Sequence, residues 1–501
     1  MNANTVILPI LVPMVTALLV LLLGRPSRLR RWLVGVSAVA QVALALGLVA
    51  LTYREGALVL GLGGWSAPFG IVLVIDLLAA IMLSLGAITT LATLLFGFAE
   101  LPHSEEHPLR LPLVQFLVVG INLSFCTGDL FNLFVAFEVM LISSYALLTL
   151  EADDWDVKQA FPYLALNLVG STLFLAGAGL AYGIFGTLNF AEIAQRSSLL
   201  VEDPRVTLLA FLLLVVFGLK AGLFPLYYWL PNSYPILPSP VAALYAGMLT
   251  KVGVYVLLRI FGQVFPPELF SVHTTLAWLA AATMLFGVLG AVSRNFIRGI
   301  LSFHILSQIG YMVLAIGLFT EYALGAAIFY VIHHIMVKAT LFMVGGVAVV
   351  INRSDDLEKT GGLWVVAPIL GIVFLLQALS LAGLPPLSGF WGKYMIIVEG
   401  VRQGRWVLVA IALLAGVLTL FSMLKIWNGA FWRSGEGVPL KTGDRRWKPM
   451  TAVTVGMTLL SLGIGLGAEF VLQVSEEAAR QLMDRAGYIE RLLGNSGGLS
   501  A

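Results

Sequence analysis

Hydrophobic positions in this chain fall in long unbroken runs, and polar positions gather in short breaks between them. A helix rises about 1.5 Å per residue, so an apolar run of ~17 to 25 residues crosses the hydrocarbon core of a bilayer. By that rule fourteen spans are predicted, at 5–24, 32–52, 71–98, 111–127, 130–150, 159–184, 206–229, 239–262, 273–292, 298–318, 323–350, 364–398, 406–431 and 450–472. The first run, Val6 to Gly24, reads as a spanning helix and not as a signal peptide, because it is long and lacks a basic leading segment. The longest polar stretch is the tail after Gln473, so no soluble domain is expected. The predicted fold is all-α and polytopic, with about fourteen transmembrane helices.

Orientation follows from the distribution of Lys and Arg, which concentrate in cytoplasmic loops. With the loop Arg25 to Arg31 in the cytoplasm, alternate loops carry 15 basic residues on that side and 8 on the other. Both termini are therefore expected to face outward.

The spans repeat. Ala221-Gly222-Leu223-Phe224-Pro225-Leu226 matches Ala382-Gly383-Leu384-Pro385-Pro386-Leu387. Phe137-Glu138 with Tyr145 matches Phe303-His304 with Tyr311, and Thr172-Leu173-Phe174 matches Thr340-Leu341-Phe342. All three matches lie at nearly one offset, a shift of five spans. An odd shift reverses direction, so the pattern predicts an inverted repeat of two five-helix bundles, spans 4–8 and 9–13. The expected division is 1–110 for the first three helices, 111–262 and 273–431 for the two repeats, and 432–501 for the last span and tail. Pro225 interrupts span 7, and Pro385-Pro386 with Gly389 interrupts span 12. Proline removes a backbone donor and clashes with the preceding turn. Broken helices at membrane depth are tolerated where they are buried or line a wet cavity, and paired breaks point to an ion path.

Composition agrees with a membrane protein: 59% of residues are hydrophobic and 11% charged, with a mean hydropathy of +0.96. A soluble domain carries about 25% charged residues. The net charge of +2, without a basic run, gives no footprint for nucleic acid. A single cysteine, Cys126, excludes an internal disulfide framework and cysteine-ligated clusters.

Against that background the ionisable residues inside spans stand out, because a charge at the bilayer centre costs roughly 2.5–3.5 kcal/mol on insertion scales. Glu138 in span 5 has no Lys or Arg nearby in sequence, and Lys220 lies one turn before Pro225 in span 7. The two are expected to approach within ion-pair range across spans 5 and 7. The carboxylate would then govern whether the lysine keeps its proton. The plainer alternative is a static pair that fixes helix packing. Lys251 lies mid-span with Tyr255 one turn on and on the same face. Span 11 carries His333, His334 and Lys338, of which His334 and Lys338 share a face at i, i+4. His304 occupies the repeat position of Glu138, with Gln308 one turn on, and a satisfied interhelical hydrogen bond is its plain alternative. Lys393 follows the second break. Arg259 and Lys425, near span ends, read as snorkelling anchors, with Lys425 loosely matching Lys251. Asp76 reads as a surface cap on span 3. Histidine titrates near neutral pH and both donates and accepts, which suits a proton relay. The proton-path candidates are therefore Glu138, Lys220, Lys251, His304, His333, His334, Lys338 and Lys393, with Pro225, Pro385 and Pro386 marking the broken helices. No metal cluster, nucleophile triad or phosphate loop is present in the sequence, so neither a cofactor nor a catalytic enzyme is expected.

Three stretches resemble signatures of a known family. They are Gly128-Asp129-Leu130-Phe131-Asn132-Leu133-Phe134-Val135-Ala136-Phe137-Glu138, the segment Lys220 to Pro231, and the segment Ser380 to Phe390. The family is that of antiporter-like membrane subunits. It spans Mrp-type multisubunit cation/proton antiporters, the antiporter-like subunits of respiratory complex I, and membrane-bound hydrogenase modules. Ser302 to Tyr311, His333 to Lys338 and Leu249 to Tyr255 look nearest to the Mrp branch. The resemblance implies Glu138 and Lys220 as a switching ion pair, Lys251 and the span-11 residues as a relay, and Lys393 as the terminal group of the second half-channel. It also implies a bacterial inner-membrane location, H⁺ and Na⁺ as the ions, and the Mrp subunits A, B, C, E, F and G as partners.

Two functional readings share this chemistry: a proton-translocating subunit of a Na⁺/H⁺ antiporter, and a proton-pumping subunit of a quinone-reducing or hydrogenase complex. A third, a structural scaffold, leaves two broken helices and titratable histidines without a use.

Overall fold

The computed structural model describes residues 3–65, 70–434 and 445–494. A backbone surrounded by lipid can satisfy its N–H and C=O groups only within its own segment, so each apolar run folds as a helix. In chain order these are α1 (Leu8–Leu22), α2 (Arg28–Glu55), α3 (Leu77–Glu100), α4 (Arg110–Cys126), α5 (Leu130–Thr149), α6 (Asp154–Phe185), α7 (Phe190–Leu199), α8 (Pro204–Ala221), α9 (Trp229–Ser233) and α10 (Ser239–Arg259). They continue as α11 (Phe270–Ser293), α12 (Ile297–Leu318), α13 (Glu321–Asn352), α14 (Leu363–Val366), α15 (Pro368–Ala382), α16 (Ser388–Arg402), α17 (Trp406–Ile426), α18 (Trp447–Leu466), α19 (Ala468–Met483) and α20 (Arg485–Leu493). Among the described residues, twelve helices have the length and hydropathy to cross a membrane, and Arg110–Cys126 and Pro368–Ala382 are apolar but shorter.

Side chains set many of the boundaries. Asp76, Asp129 and Thr320 each accept a main-chain N–H three residues on, capping α3, α5 and α13. The two breaks begin alike. α8 ends at Gly222 with φ +82°, and α15 ends at Gly383 with φ +96°. That left-handed turn is cheap only for glycine, which explains the shared Ala-Gly-Leu motif. The first break therefore starts at Gly222, three residues ahead of Pro225, and Lys220 lies in the last turn of α8 instead of mid-helix.

Three segments differ from the sequence expectation. Residues 72–75 form a strand, β2 (Val72–Ile75), antiparallel to β1 (Leu58–Gly61), with Leu58 opposite Ile75. In sequence this β-branched run reads as the start of span 3, but Asp76 starts the helix after it. α7 lies between spans 6 and 7 and is only 10 residues long, amphipathic, with Phe190, Ala191 and Ile193 buried. The tail is helical: α18 ends at Gly467, short of the expected 472, and α19 and α20 bury Ala478, Ala479, Leu482 and Tyr488 against the body.

The core is built from α10 and α13. Every residue of α10 is buried, as is nearly all of α13. α1, α2, α6 and α17 instead expose Leu19, Leu46, Phe161, Val169, Val417 and Phe421. An apolar surface of that extent needs lipid around it. Trp32, Trp155, Trp406 and Trp432 stand exposed at helix ends, where an indole suits the membrane–water interface.

Candidate functional site

The interior polar groups start in the first half. Glu138, half-buried on α5, accepts a hydrogen bond from Ser171 Oγ on α6 at 2.5 Å. Lys220 Nζ donates to Asn167 on the same helix, to Oδ1 at 3.2 Å and to the main-chain oxygen at 3.4 Å. Its ammonium also sits 5.8 Å from the centroid of Phe137, a cation–π approach beside Glu138. The expected Glu138–Lys220 ion pair is therefore not made: among the described residues each group takes its partner from α6. The reason is the polar stripe Tyr163, Asn167, Ser171 at i, i+4, i+8, which presents one face to both α5 and α8. Glu138 and Lys220 thus bond to neighbouring positions of one α6 stripe, Ser171 and Asn167, one helical turn apart.

Lys251 and Lys338 occupy the centre, both fully buried. Lys251 Nζ donates to the Ala246 carbonyl at 2.5 Å and to Thr250 Oγ1 at 3.2 Å. Lys338 Nζ donates to the Leu301 carbonyl on α12 at 2.9 Å. His334, one turn before Lys338, has no hydrogen-bond partner on either ring nitrogen among the described residues. His333 precedes it in the chain, and Lys338 lies one turn on along the same face. A buried imidazole with both nitrogens uncommitted can take a proton on one side and release one on the other.

The second break is held by hydroxyls. His333 Nδ1 shares a 2.8 Å hydrogen bond with Ser388 Oγ at the start of α16, and Ser388 Oγ shares one of 3.1 Å with Ser380 Oγ at the end of α15. This close packing needs glycine at 389, where a Cβ would lie 1.9 Å from the Ser380 carbonyl and 2.8 Å from His333 Cε1. Lys393 Nζ donates to the Leu381 and Ala382 carbonyls at 2.9 and 3.1 Å, and lies 4.6 Å from the Tyr311 ring centroid. These are terminal carbonyls of α15, which the helix itself leaves without partners. His304 Nε2 pairs with Ser422 Oγ on α17 at 2.6 Å. Gln308, one turn on, accepts from Tyr330 Oη and donates to Thr419 Oγ1 at 3.4 Å.

The structure thus puts His304, His333, His334, Lys251, Lys338 and Lys393 in one buried region, with Glu138 and Lys220 beside it on α5 and α8. Two sequence assignments need correction. Arg259 does not snorkel: it is buried and forms an ion pair with Asp76 at 2.5 Å. Asp76 does cap α3, but it is buried and not at the surface. Both look peripheral in sequence because each lies near a span end. Sequence reasoning missed the partners Asn167, Ser171, Ser380, Ser388 and Ser422; of these only the α6 stripe has a signal, its four-residue spacing.

Helices of membrane-spanning length, two interior breaks and buried lysines and histidines define a polytopic membrane protein with a polar interior. Residues 127–419 match the family described as NADH:quinone oxidoreductase/Mrp antiporter, transmembrane, and the chain belongs to that family. The D subunit of the Na⁺/H⁺ antiporter of Alkalihalophilus pseudofirmus is 41% identical over 98% of this chain and 99% of its own length. Among solved structures, a chain of the Mrp complex from Dietzia sp. superposes with a TM-score of 0.91 at 31% identity, over 98% of this chain and 100% of that one. A chain of respiratory complex I from Thermus thermophilus follows at a TM-score of 0.74 and 28% identity, over 93% and 98%.

Proposed function

We propose that this chain is the proton-translocating subunit of a multisubunit Na⁺/H⁺ antiporter. The observation that carries the reading is the buried set of Lys and His side chains between two broken helices, in a chain 41% identical over nearly its whole length to a Na⁺/H⁺ antiporter subunit. Protons would move between Glu138 with Lys220 and Lys393, by way of Lys251, His334, Lys338, His333 and His304. Hydroxyls such as Ser171 and Ser388 both donate and accept, so they can pass a proton between these groups. The chain is then a transporter subunit, working beside subunits A, B, C, E, F and G in a bacterial membrane. The two repeats, 111–262 and 273–431, each supply one break, while 1–110 and 432–501 flank them. The reading of fourteen spans with outward termini rests on 15 basic residues in one set of loops against 8 in the other. The proton-pumping role of a complex I subunit is the second reading, supported by the Thermus likeness at its lower TM-score.

The test is sodium-driven proton exchange in inverted vesicles containing the whole complex. Lys393→Ala should abolish exchange with the complex assembled, and retained exchange would contradict this role for Lys393. For topology, an impermeant label applied outside intact cells should not reach cysteines placed at Arg445 or Arg446; labelling would reverse the orientation.

A further inference from the structure

Among the described residues, a buried ion pair that the proposed path does not use lies at the end of α10. Lys251, Tyr255 and Arg259 recur at i, i+4 and i+8 and so share a face of this helix. Arg259 grips Asp76 with both terminal nitrogens, Nη1 to Oδ2 at 2.5 Å and Nη2 to Oδ1 at 2.8 Å. It has two further partners, Gln263 Oε1 at 2.6 Å and Tyr255 Oη at 3.0 Å. Tyr255 Oη in turn donates to the Phe125 carbonyl at 2.7 Å. Gln263 belongs to a single π-helical turn, Ile260–Val264, that closes α10, a distortion frequent at functional sites.

Beyond the pair is a polar cavity of ≈290 Å³, to which Asp76 and Gln263 contribute, with Glu477, Gln481 and Asp484 from the tail. A water needs only about 10–15 Å³ of such space, so the cavity has room for several. A second polar cavity of ≈240 Å³ lies at the other end of α10, lined by Ser239, Glu100 and Arg298. Between them Lys251 is about 12 Å along the helix from Arg259. The second repeat has no such arrangement. By the offset that relates Glu138 to His304, Lys425 stands at the repeat position of Arg259 and not, as its looser match suggested, of Lys251; it binds the Val292 and Arg294 carbonyls at 3.1 and 2.7 Å. A cation at this helix end can therefore be held without a buried carboxylate.

We propose that Asp76 and Arg259 form the gate between the Lys251 end of the buried row and the cavity on the β-hairpin face. Asp76 is the group that exchanges protons with water in the cavity. When Asp76 takes up a proton, Arg259 keeps Gln263 and Tyr255 as partners, so the guanidinium stays in place while the pair opens. When Arg259 re-forms the pair, the proton leaves. Tyr255, one turn from Lys251, is the hydroxyl next to the row. This assignment rests on the proton-translocating reading above.

Neutralising both partners separates a gate from packing. A single change strands a buried charge and destabilises in either case, whereas a double change to polar isosteres relieves a pair that only packs. In the whole complex, Asp76→Asn/Arg259→Gln should assemble and lose exchange at least about tenfold, a ~1.4 kcal/mol effect on the limiting barrier. Asp76→Glu, which keeps the carboxylate, should retain partial exchange. A double variant that assembles and exchanges at the wild-type rate overturns the gate. An independent measurement does not depend on that variant: Gln263→Cys with Cys126→Ser should react with an impermeant thiol reagent from the hairpin face, and failure to react also overturns it. Lys393→Ala runs in parallel. If it leaves exchange intact, the translocating reading itself has failed; if it abolishes exchange while the double variant does not, only the gate has.

Discussion

The two breaks use the same turn and hold their lysines differently. In the first half Lys220 precedes the break and rests on a side-chain amide, Asn167, with the Glu138 carboxylate near and a hydroxyl on that carboxylate. In the second half Lys393 follows the break and rests on main-chain carbonyls at the end of α15, against the Tyr311 ring. An amide side chain can rotate and a carboxylate can change charge, whereas terminal carbonyls are fixed by the helix. On the proposed reading, the first half would switch, while the second holds a lysine on main-chain carbonyls near His333 and the hydroxyl pair Ser380–Ser388. The two breaks share a turn, and the residues around it make them unequal.

The largest effect is expected at the lysines: Lys220→Ala should match the loss predicted for Lys393→Ala, at least about tenfold in exchange rate, ~1.4 kcal/mol or more. Asn167→Leu comes next. It removes the amide that holds Lys220 but no charge, so exchange should fall several-fold with assembly intact. An unchanged rate would mean that Lys220 needs no switchable partner. Gly389→Ala should lower the thermal stability of the complex, since its Cβ meets the Ser380 carbonyl; overpacking of this kind costs about 1–3 kcal/mol. Lys425→Ala should matter least. Its ammonium only satisfies terminal carbonyls at the end of α11, an interaction of about 0.3–1 kcal/mol, and exchange should stay near the wild-type rate.

Much of this was legible in the sequence because a membrane interior makes charge conspicuous. Each apolar run contains a helix, both breaks fall at the Ala-Gly-Leu motif, and Lys251, His334, Lys338 and Lys393 are all buried. The partners of those charges were not legible. Ser380, Ser388 and Ser422 are small hydroxyls of a kind that also bond back to their own helix, as Ser143 does to Val139. The Glu138–Lys220 pair follows from two lone charges, but sequence could not tell that each would take its hydrogen-bond partner from α6. Asp76 and Arg259 are 183 residues apart, and proximity to span ends disguised both. The β-hairpin and the amphipathic helices α7, α19 and α20 escaped because a search for long apolar runs passes over short or half-polar segments.

On the proposed reading, Glu138 controls the first half by its charge, without a direct hydrogen bond to Lys220. Glu138→Gln removes the charge and keeps the shape and the hydrogen bond to Ser171. Exchange should be measured in inverted vesicles alongside the amount of assembled complex. The account predicts normal assembly with exchange lost at least about tenfold, and partial exchange for Glu138→Asp, which keeps the carboxylate one methylene short. A Glu138→Gln complex that assembles normally and exchanges at the wild-type rate would contradict it and leave Glu138 as a packing residue.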